Sequence, residues 1–255
     1  MSELDRANVE AFEQDAAHNE GYLYTRTDRL SCRLATSRTT DIILETDEFR
    51  DRSVLDVACG DAFYDVRFWD RGSPARFVAA DAALKAVGIG ARNSHPRPLL
   101  FLAADAHRLP FADDSFDVVL LQSVLHHDDN PLNMIQEAFR IAPRIVVHEP
   151  NGNNFGLKVI EKTSRYHIEH REKSYTTRRM RQWIVAAGGY VVHQRMAGFV
   201  PMFCPDWMAR TMKLVEPVLE AIPVFRSLAC SVYVIVGSRK PPVGRSAQAS
   251  SSMLA

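Results

Sequence analysis

The chain has 255 residues, of which 46% are hydrophobic and 24% are charged, and its formal net charge is zero at pH 7. This composition predicts one α/β domain with attached segments, and the lack of a basic excess argues against a nucleic-acid partner. No apolar run reaches the roughly 20 residues of a membrane span, so no integral membrane association is expected. The charged N-terminus is unlike a signal peptide, and the four cysteines form no C-x-x-C pair, so a cytoplasmic protein without disulfides is expected.

The first 48 residues are predicted to form a helical cap outside the main sheet. Residues 3–17 carry apolar side chains at helical spacing among charges, and Asn19-Glu20-Gly21 interrupts them. Tyr22 and Tyr24 follow, and a second helical stretch extends to about residue 48. Packing at a domain edge is one explanation for the two tyrosines.

The residues from 53 to 62 read SVLDVACGDA. Val54, Leu55 and Val57 are typical of a short buried strand, and the amphipathic run that follows predicts a helix. Between them, Gly60 lets the backbone approach a ligand closely because glycine has no Cβ atom. A strand, a tight loop and a helix in this order are typical of a nucleotide-type site.

Other nucleotide-binding loops fit this stretch less well. A dinucleotide fingerprint, G-x-G-x-x-G, would place a glycine where the chain has Phe63, which is too large for close packing of the helix on the strand. A P-loop needs Gly-Lys followed by Ser or Thr, a run that the chain lacks. An ordinary strand-to-helix turn and an NAD(P)-dependent oxidoreductase stay open as alternatives.

The second predicted strand ends in an acidic residue. Asp81 closes the apolar run 75–81 and lies 21 positions after Gly60, the spacing at which a carboxylate reaches a ribose. A carboxylate can accept hydrogen bonds from both ribose hydroxyls. Because a helix is predicted at 82–92, the alternative role of Asp81 is to cap that helix.

A third strand is predicted within residues 98–106 and contains Asp105 near its end, and a fourth strand is predicted over 116–121. The carboxyl ends of parallel strands share one edge of a sheet, and ligands of such sheets bind at that edge. The acids at the strand ends are therefore expected to line one site.

The stretch Asp56-Val57-Ala58-Cys59-Gly60-Asp61-Ala62 resembles the first motif of class I S-adenosylmethionine-dependent methyltransferases, an acid followed by alternating glycines. Ala58 and Ala62 stand where the family has glycine. The string from Ala104-Asp105-Ala106 through Leu109-Pro110-Phe111 to Ser115-Phe116-Asp117 is very similar to the same family. The resemblance implies S-adenosyl-L-methionine as cofactor, with Asp105 accepting from the adenine amino group. The predicted cofactor-binding residues are Asp56, Ala58, Cys59, Gly60, Asp81, Ala82, Asp105, Ala106 and Gln122.

The segment after the fourth strand, Gln122-Ser123-Val124-Leu125-His126-His127, resembles the part of the family that lies beside the methyl group in transit. Histidine suits a general base near neutral pH, so His126 and His127 are the catalytic candidates. A buried histidine with satisfied hydrogen bonds is the alternative for His126. In the family, N-terminal segments fold over cofactor and substrate. The predicted substrate-binding residues are Tyr22, Tyr24, His148 and Phe203.

The rest of the chain contains a predicted lid, an insertion and a tail. Residues 150–175 are predicted to form a solvated lid over the site, and the spacing of His167 and His170 places no third ligand beside them, so no metal site is predicted. Residues 198–228 have an amphipathic helical pattern, which favours a packed helix, an apolar wall of the acceptor pocket or a subunit interface. Residues 240–255 are predicted to be disordered.

These elements together predict a Rossmann-like, seven-stranded, doubly wound α/β sheet with an antiparallel last strand. The methyltransferase domain is placed at 49–239, with the helical insertion before the last strand. The remaining predicted elements are helices at 131–141 and 176–188 and strands at 143–149, 190–193 and 229–236.

The resemblance implies transfer of a methyl group to an oxygen, nitrogen or carbon of a small, hydrophobic metabolite. Residues 122–125 contain neither the Asp/Asn-Pro-Pro-aromatic run of nucleic-acid N-methyltransferases nor the Pro-Cys nucleophile of cytosine C5 enzymes. A non-catalytic scaffold that binds the same cofactor stays an alternative because of Ala58 and Ala62. The expected partners are a small-molecule acceptor and, if the insertion is an interface, a second copy in a homodimer.

Overall fold

The computed structural model describes residues 9–14, 16, 18, 21–25, 28–164, 168 and 172–239. Within these ranges, seven strands form one mixed sheet in the spatial order β3-β2-β1-β4-β5-β7-β6. Strands β1 to β5 are parallel, and β7 is antiparallel to both β5 and β6. The predicted seven-stranded sheet with an antiparallel last strand is confirmed. In chain order the strands are β1 Ser53–Val57, β2 Arg76–Asp81, β3 Leu100–Ala103, β4 Val118–Gln122, β5 Arg144–Pro150, β6 Gly189–Ala197 and β7 Val232–Arg239.

Helices connect and cover the strands. Two short 3-10 helices lie at Leu23–Thr25 and Leu125–His127, and residues 9–14 are helical. The α-helices are α1 Leu30–Thr46, α2 Phe63–Gly72, α3 Leu84–Ser94, α4 Pro131–Ile141, α5 Phe155–Thr163, α6 Thr177–Ala186, α7 Asp206–Ala221 and α8 Pro223–Ala229.

Two helix boundaries follow from local chemistry. Helix α4 has the predicted bounds and begins at Pro131, where the missing N–H is one that no helical bond needs. Helix α6 begins after Thr176, whose side chain accepts a hydrogen bond from the Arg179 N–H.

The two faces of the sheet carry separate cores. Leu55 of β1 belongs to a buried cluster with Phe139 of α4 and residues of α6. The preceding residue, Val54, belongs to a second cluster with Phe68 of α2 and residues of α1. This alternation is the period of two of a β-strand, and it places helices on both faces of the sheet.

Two strand boundaries differ from the prediction. Strand β3 is shorter than the predicted run 98–106, because beyond Ala103 the chain turns into the loop that contains Asp105. Strand β7 begins at Val232 rather than at 229, because α8 continues to Ala229.

Two further differences concern β6 and α5. Strand β6 extends to Ala197 rather than ending at 193, and a register shift between Val191 and His193 breaks the alternation on which the prediction depends. Helix α5 lies in the predicted lid at 150–175, for which the sequence predicted no helix.

Some predictions concern residues outside the described part of the chain. They are the disordered tail at 240–255, the pair His167 and His170, and residues 1–8, which include the predicted start of the first helix. Among the described residues, no helix combines the length and the apolar content that crossing a bilayer requires.

Candidate cofactor and acceptor site

The carboxyl ends of β1, β2, β4 and β5 open onto a cavity of about 900 Å³. Open α/β sheets bind ligands at this edge, and the volume is near the top of the usual range of roughly 300–1,000 Å³ for small-molecule sites. The cavity brings together residues that are far apart in the chain. Its lining includes all the residues that the sequence predicts for the site, namely Tyr22, Tyr24, Asp56, Ala58, Cys59, Gly60, Asp81, Ala82, Asp105, Ala106, Gln122, His126, His127, His148 and Phe203.

The loop between β1 and α2 has the backbone geometry of a glycine-rich loop. The φ values of Ala58, Gly60 and Ala62 are +65°, +57° and +59°, in the left-handed region. The N–H groups of Ala58 and Cys59 both donate to the Ala80 carbonyl of β2, at 2.7 and 3.1 Å. A non-glycine residue pays about 1–2 kcal/mol for this conformation. The loop therefore keeps its shape although alanine replaces glycine twice.

Asp81 braces this loop from the end of β2. Its Oδ2 accepts a hydrogen bond from the Gly60 N–H at 2.8 Å, and its Oδ1 accepts one from the Ala83 N–H at 2.7 Å. Burial raises the pKa of Asp81, while both backbone donors favour its charged form. The predicted alternative role as a helix cap is wrong, because α3 begins at Leu84 with Ala83 as its N-cap, and Asp81 instead closes the turn before that helix. A carboxylate with about four lone-pair sites still has acceptor capacity for a ligand.

Asp56 is buried beside a second carboxyl group, that of Asp65 in α2. Burial and the neighbouring Asp65 raise the pKa of Asp56, and burial raises that of Asp65 to about 7. Two buried carboxyl groups in contact hold a shared proton more readily than two negative charges. The predicted contact between Asp56 and the cofactor stays a prediction.

The segment before α1 is tied to the loop by Asp61, a residue that the sequence did not single out. Asp61 Oδ2 accepts hydrogen bonds from the Tyr22 N–H at 3.0 Å and from Thr25 Oγ1 at 2.7 Å. The Tyr22 ring lies over Gly60, so close that a Cβ atom at Gly60 would be 2.5 Å from Tyr22 Cε2. The N-terminal segment therefore covers the loop.

A charged triad lines the same cavity around His107. The Nδ1 atom of His107 lies 3.1 Å from Asp105 Oδ1, and its Nε2 atom lies 3.0 Å from Asp128 Oδ2. The bonds to Asp128 and then to Asp105 raise the pKa of His107 to about 9, so the ring is charged at neutral pH. Burial opposes the charged form of Asp105, yet its bonds to His107 lower its pKa. The sequence did not predict His107 or Asp128, and the available signal was a histidine two positions after a predicted ligand.

Glu149 at the end of β5 holds His126 in place. Its Oε2 lies 2.6 Å from His126 Nδ1, and its Oε1 accepts from the N–H groups of Val124 and Leu125 at 3.0 and 2.8 Å. Burial raises the pKa of Glu149 to about 8 in spite of the backbone donors. His126 is buried and hydrogen-bonded, as the alternative reading expects, and it also lines the cavity. Because Nδ1 is engaged, any role toward an acceptor belongs to Nε2.

His127 and Glu172 lie beside His126. The His126 and His127 ring centroids are 3.9 Å apart. Among the described residues, these three form the one group that could hold a metal ion, with ligand atoms within 4.8 Å of one another. Burial, with Glu161 and Glu149 nearby, raises the pKa of Glu172 to about 7. The sequence could not place Glu172 here, and the expected absence of a metal stays a prediction.

Two neighbouring residues of β4 and β5 each carry a buried polar atom without a hydrogen-bond partner among the described residues. Gln122 and His148 are partners in the strand register, and both are buried. Burial and the neighbouring His126 lower the pKa of His148 to about 3, so its ring is neutral. Within the described chain, Gln122 Oε1 and His148 Nε2 have no hydrogen-bond partner. Both atoms belong to residues of the cavity wall and suit a polar ligand.

One part of the cavity wall is apolar. The ring of Tyr24 meets that of Phe203 edge to face, with centroids 5.3 Å apart, so the structure joins two predicted substrate-binding residues. Burial raises the pKa of Tyr24, which keeps its hydroxyl neutral. Further apolar side chains of this wall are Leu157, Ile160, Val200, Met202, Met212 and Leu228.

Residues 55–144 match a family model described as a methyltransferase domain. This range contains the Gly60 loop, Asp81, Asp105 and the histidine pair, and it coincides with strands β1 to β4 of the confirmed sheet. This match supports the resemblance of the chain to class I S-adenosylmethionine-dependent methyltransferases. The methyltransferase motif thus lies on the strands that form the cavity.

One sequence relative and two solved structures illustrate the similarity. The demethylmenaquinone methyltransferase of Renibacterium salmoninarum is 36% identical over 107 residues, which cover 40% of this chain and 43% of that protein. The chain therefore matches less than half of that relative's length. A Thermotoga maritima structure described as a possible histamine N-methyltransferase has a TM-score of 0.66 at 15% identity, covering 91% of this chain and 99% of its own. The magnesium protoporphyrin IX methyltransferase of Synechocystis with bound SAH has a TM-score of 0.58 at 14% identity, covering 84% and 90%. At these identities the two structures show the fold alone.

Proposed function

We propose that this protein transfers a methyl group from S-adenosyl-L-methionine to a small, hydrophobic acceptor. The observation that carries the proposal is the meeting of the Gly60 loop, Asp81, Asp105 and the pair His126 and His127 on the wall of one cavity. When bound, the cofactor supplies a methyl group on a positively charged sulfur, which needs no covalent activation by the protein. Residues 49–239 are the proposed methyltransferase domain.

The residues proposed to hold the cofactor fit its polar groups. Asp81 presents a carboxylate fixed by two backbone N–H groups, which suits ribose hydroxyls, and Asp105 presents a second one for the adenine amino group. The buried Gln122 Oε1 has no partner among the described residues, and a ligand donor would satisfy it.

The charge of the cavity also supports this cofactor. The described cations in its lining are Arg38, which is paired with Glu220 and Glu45, and His107, which is paired with two aspartates. The wall therefore has an excess of negative charge, which favours a positively charged ligand. The acidic residues of the lining are Asp56, Asp61, Asp81, Asp105, Asp128 and Glu172.

We assign the proton-accepting role to the histidine pair. With the Nδ1–H of His126 donating to Glu149, the ring is fixed in the tautomer whose Nε2 can take a proton from a hydroxyl or ammonium acceptor. An acceptor carbon that is already acidic does not need this base. A methyl-transfer rate that depends on His126 therefore indicates a hydroxyl or ammonium acceptor, and a rate that does not depend on it indicates an acidic carbon.

The acceptor class follows from the apolar wall. Tyr24, Phe203 and the aliphatic side chains around them offer a hydrophobic compound more contact than a sugar or a nucleotide. The partly matching relative is named for demethylmenaquinone, a quinone, which belongs to the same chemical class. We therefore place quinones, phenols and lipid-like compounds first among the acceptors.

Calorimetric titration with S-adenosylmethionine, S-adenosylhomocysteine and NAD tests the cofactor. We expect both sulfur nucleosides to bind and NAD not to bind. Binding of neither sulfur nucleoside would refute the proposal, and NAD binding would favour an oxidoreductase. Binding of the cofactor without turnover of any quinol, phenol or lipid acceptor would favour the non-catalytic scaffold.

The variant His126→Asn tests the base once an acceptor is known. With a hydroxyl acceptor we expect kcat to fall by about 10²–10⁴-fold and S-adenosylhomocysteine affinity to stay within about twofold. His193→Asn is the matched control, because His193 is exposed on β6 and does not line the cavity. An unchanged kcat in His126→Asn would remove this residue from the base role.

A further inference from the structure

Three helices near the cavity mouth expose large apolar side chains. In α7 the exposed fractions of Trp207, Leu214 and Val218 are 71%, 81% and 61%. Helices α5 and α8 contain no buried residue although they are rich in apolar residues. Contiguous exposed apolar surface marks an interaction site more often than scattered apolar residues do. We call the following residues the outer apolar face: Phe155, Val159, Trp207, Leu214, Val218, Val224 and Phe225.

Polar contacts hold α7 with its apolar side outward. Glu216 is buried and accepts a hydrogen bond from the Phe199 N–H at 2.9 Å. Glu220 forms a salt bridge with Arg38 of α1 at 2.6 Å. The three exposed residues of α7 are seven and four positions apart, so they share one side of the helix. This helix therefore buries Ala209 and Glu216 but leaves three large apolar side chains outward, where an ordinary surface helix has polar residues.

Asparagine side chains hold α8 next to α5. The Nδ2 atom of Asn154 donates to the Ala229 carbonyl at 3.0 Å, and that of Asn151 donates to the Ser227 carbonyl at 2.9 Å. Asn154 also accepts from the Leu157 N–H at the start of α5. The same residues connect the end of β5 to both helices, so the apolar side chains of α5 and α8 lie on one part of the surface.

The outer apolar face continues into the apolar wall of the cavity. Leu157 and Ile160 of α5 and Leu228 of α8 line the cavity, while Ile160 and Leu228 are also exposed. These residues alternate along their helices with members of the outer apolar face. The outer apolar face and the apolar part of the cavity wall therefore share helices α5 and α8.

The exposed charges of the three helices are mainly positive. Lys162 of α5, Arg210 of α7 and Arg226 of α8 are exposed, and Asp206 is the one exposed acid of these helices, all of which are described. The other acids of these helices are less exposed and form polar contacts; Glu161, for example, forms a salt bridge with Lys158 at 3.0 Å. Cations that flank an apolar helical face are the pattern of helices that lie on anionic lipid surfaces.

We propose that the outer apolar face docks the protein on an anionic lipid bilayer, with α5, α7 and α8 in the interface and the cavity mouth toward the lipid. A hydrophobic acceptor then enters the cavity directly from the bilayer. The entry of the acceptor rests on the proposed function, whereas lipid binding itself does not.

Charge favours a lipid surface over a second copy of the chain. In a two-fold symmetric dimer the same patch faces itself, which would bring one mainly positive patch against another. Anionic headgroups neutralise these cations instead, and each basic residue near such a surface strengthens binding.

Flotation of the full-length protein with vesicles tests the proposal without cofactor or acceptor. We expect binding to vesicles of phosphatidylcholine with phosphatidylglycerol and much weaker binding to phosphatidylcholine alone, with a loss of binding at high salt. The double variant Leu214→Ser/Phe225→Ser should weaken binding by about tenfold or more. The matched control is Leu84→Ser/Val185→Ser, which changes residues that are 65% and 58% exposed elsewhere and should bind as the unaltered protein does.

The charge variant Arg210→Gln/Arg226→Gln should weaken binding to anionic vesicles by about fivefold for each arginine. Equal binding of the Leu214→Ser/Phe225→Ser variant and its control would overturn the proposal. So would a stable dimer that this variant dissociates and that binds no vesicles, because the face would then belong to a second copy. Failure of S-adenosylhomocysteine binding with intact vesicle binding would refute the proposed function and leave the docking surface standing.

Discussion

Ala58, Ser123 and Phe203 line the cavity and have φ values of +65°, +53° and +62°. Non-glycine residues in this region cost about 1–3 kcal/mol and concentrate at functional sites, where surrounding contacts hold them. At Ala58 those contacts are its own N–H and that of Cys59, which both donate to Ala80. The backbone shape of the cofactor loop is thus held by β2 rather than by glycine alone.

The strain at Ala58 predicts the effect of restoring glycine. Ala58→Gly should leave the free energy of unfolding unchanged or raise it by up to about 1 kcal/mol, because relief of the left-handed conformation exceeds the added entropy of the unfolded chain. The control is Ala91→Gly, at an exposed position of α3, which should lower the free energy of unfolding by about 1 kcal/mol. Urea denaturation measures the free energy of unfolding of both variants. An equal loss of stability in the two would show that Ala58 is not strained.

The charged triad predicts a pH dependence of stability. Partners raise the pKa of His107 to about 9 in the folded protein, above the ordinary value of about 6.5. Its stabilising contribution is therefore complete below about pH 6.5 and is lost as the pH rises through about 9. The difference in free energy of unfolding between the unaltered protein and His107→Gln should fall over this window.

Denaturation at pH 6, 7.5 and 9.5 measures this difference. His193→Gln is the control, since that exposed histidine does not line the cavity. A difference that stays constant from pH 6 to 9.5 would show that His107 gains no proton affinity from Asp105 and Asp128.

The element that closes the loop is the short helix Leu23–Thr25 with the residues just before it. Asp61 accepts from Tyr22 and Thr25, and the Phe63 N–H donates to Asp61 Oδ1 at 3.2 Å. One carboxylate therefore links the N-terminal segment to the start of α2. Among the described residues, the other contacts of this segment are few, chiefly the Tyr22 ring over Gly60 and a small apolar cluster with α3, so the segment can open locally at a lower free energy than the sheet.

Removal of that carboxylate should loosen the segment without unfolding the sheet. In Asp61→Ala the Tyr22 amide should exchange its hydrogen at least about tenfold faster, because it loses a charge-assisted bond. Amides of β4 should keep their protection. Asp113→Ala is the control, since Asp113 pairs with Arg140 away from the loop. Unchanged exchange at Tyr22 would mean that the ring packing over Gly60 holds the segment by itself.

At the scale of the whole molecule, the cavity joins four strand ends, the N-terminal segment and the insertion. A ligand that fills it contacts elements from both halves of the chain and therefore binds only the folded protein. Such a ligand stabilises the fold by mass action.

This linkage predicts a thermal shift. S-adenosylhomocysteine at about 100 times its Kd should add about 2.7 kcal/mol and raise Tm by roughly 5–10 °C for a chain of this length. NAD should cause no shift. In Asp81→Ala the shift should shrink at the same ligand concentration, because cofactor binding is weakened by about 1–3 kcal/mol. Asp70→Ala, which removes an exposed partner of Arg97, should keep the full shift, and a full shift in Asp81→Ala would contradict the ribose role.

Local pattern was enough to predict the sheet and the acids at its edge. Strands are short apolar runs, and Asp81 and Asp105 follow two of them, so parallel order alone brings them to one edge. The boundaries of β6 and α5 were beyond reach, because a bulge breaks the alternation in the first and exposed apolar residues mask the pattern of the second.

The sequence by itself determined the sheet, its antiparallel last strand and the side of the molecule at which the motif residues meet, because these depend on periodicity and on short spacings. Only the tertiary structure decided which side chains of the site are hydrogen-bond partners or neighbours. His107 meets Asp128 across 21 positions, His126 meets Glu149 across 23, and Glu172 reaches the histidines from the lid. Such hydrogen bonds depend on how whole elements pack, and no local pattern encodes that packing. The tertiary structure likewise decided that the large apolar residues of α7 are exposed. A helical pattern shows which residues share one side of a helix but not which side faces the protein.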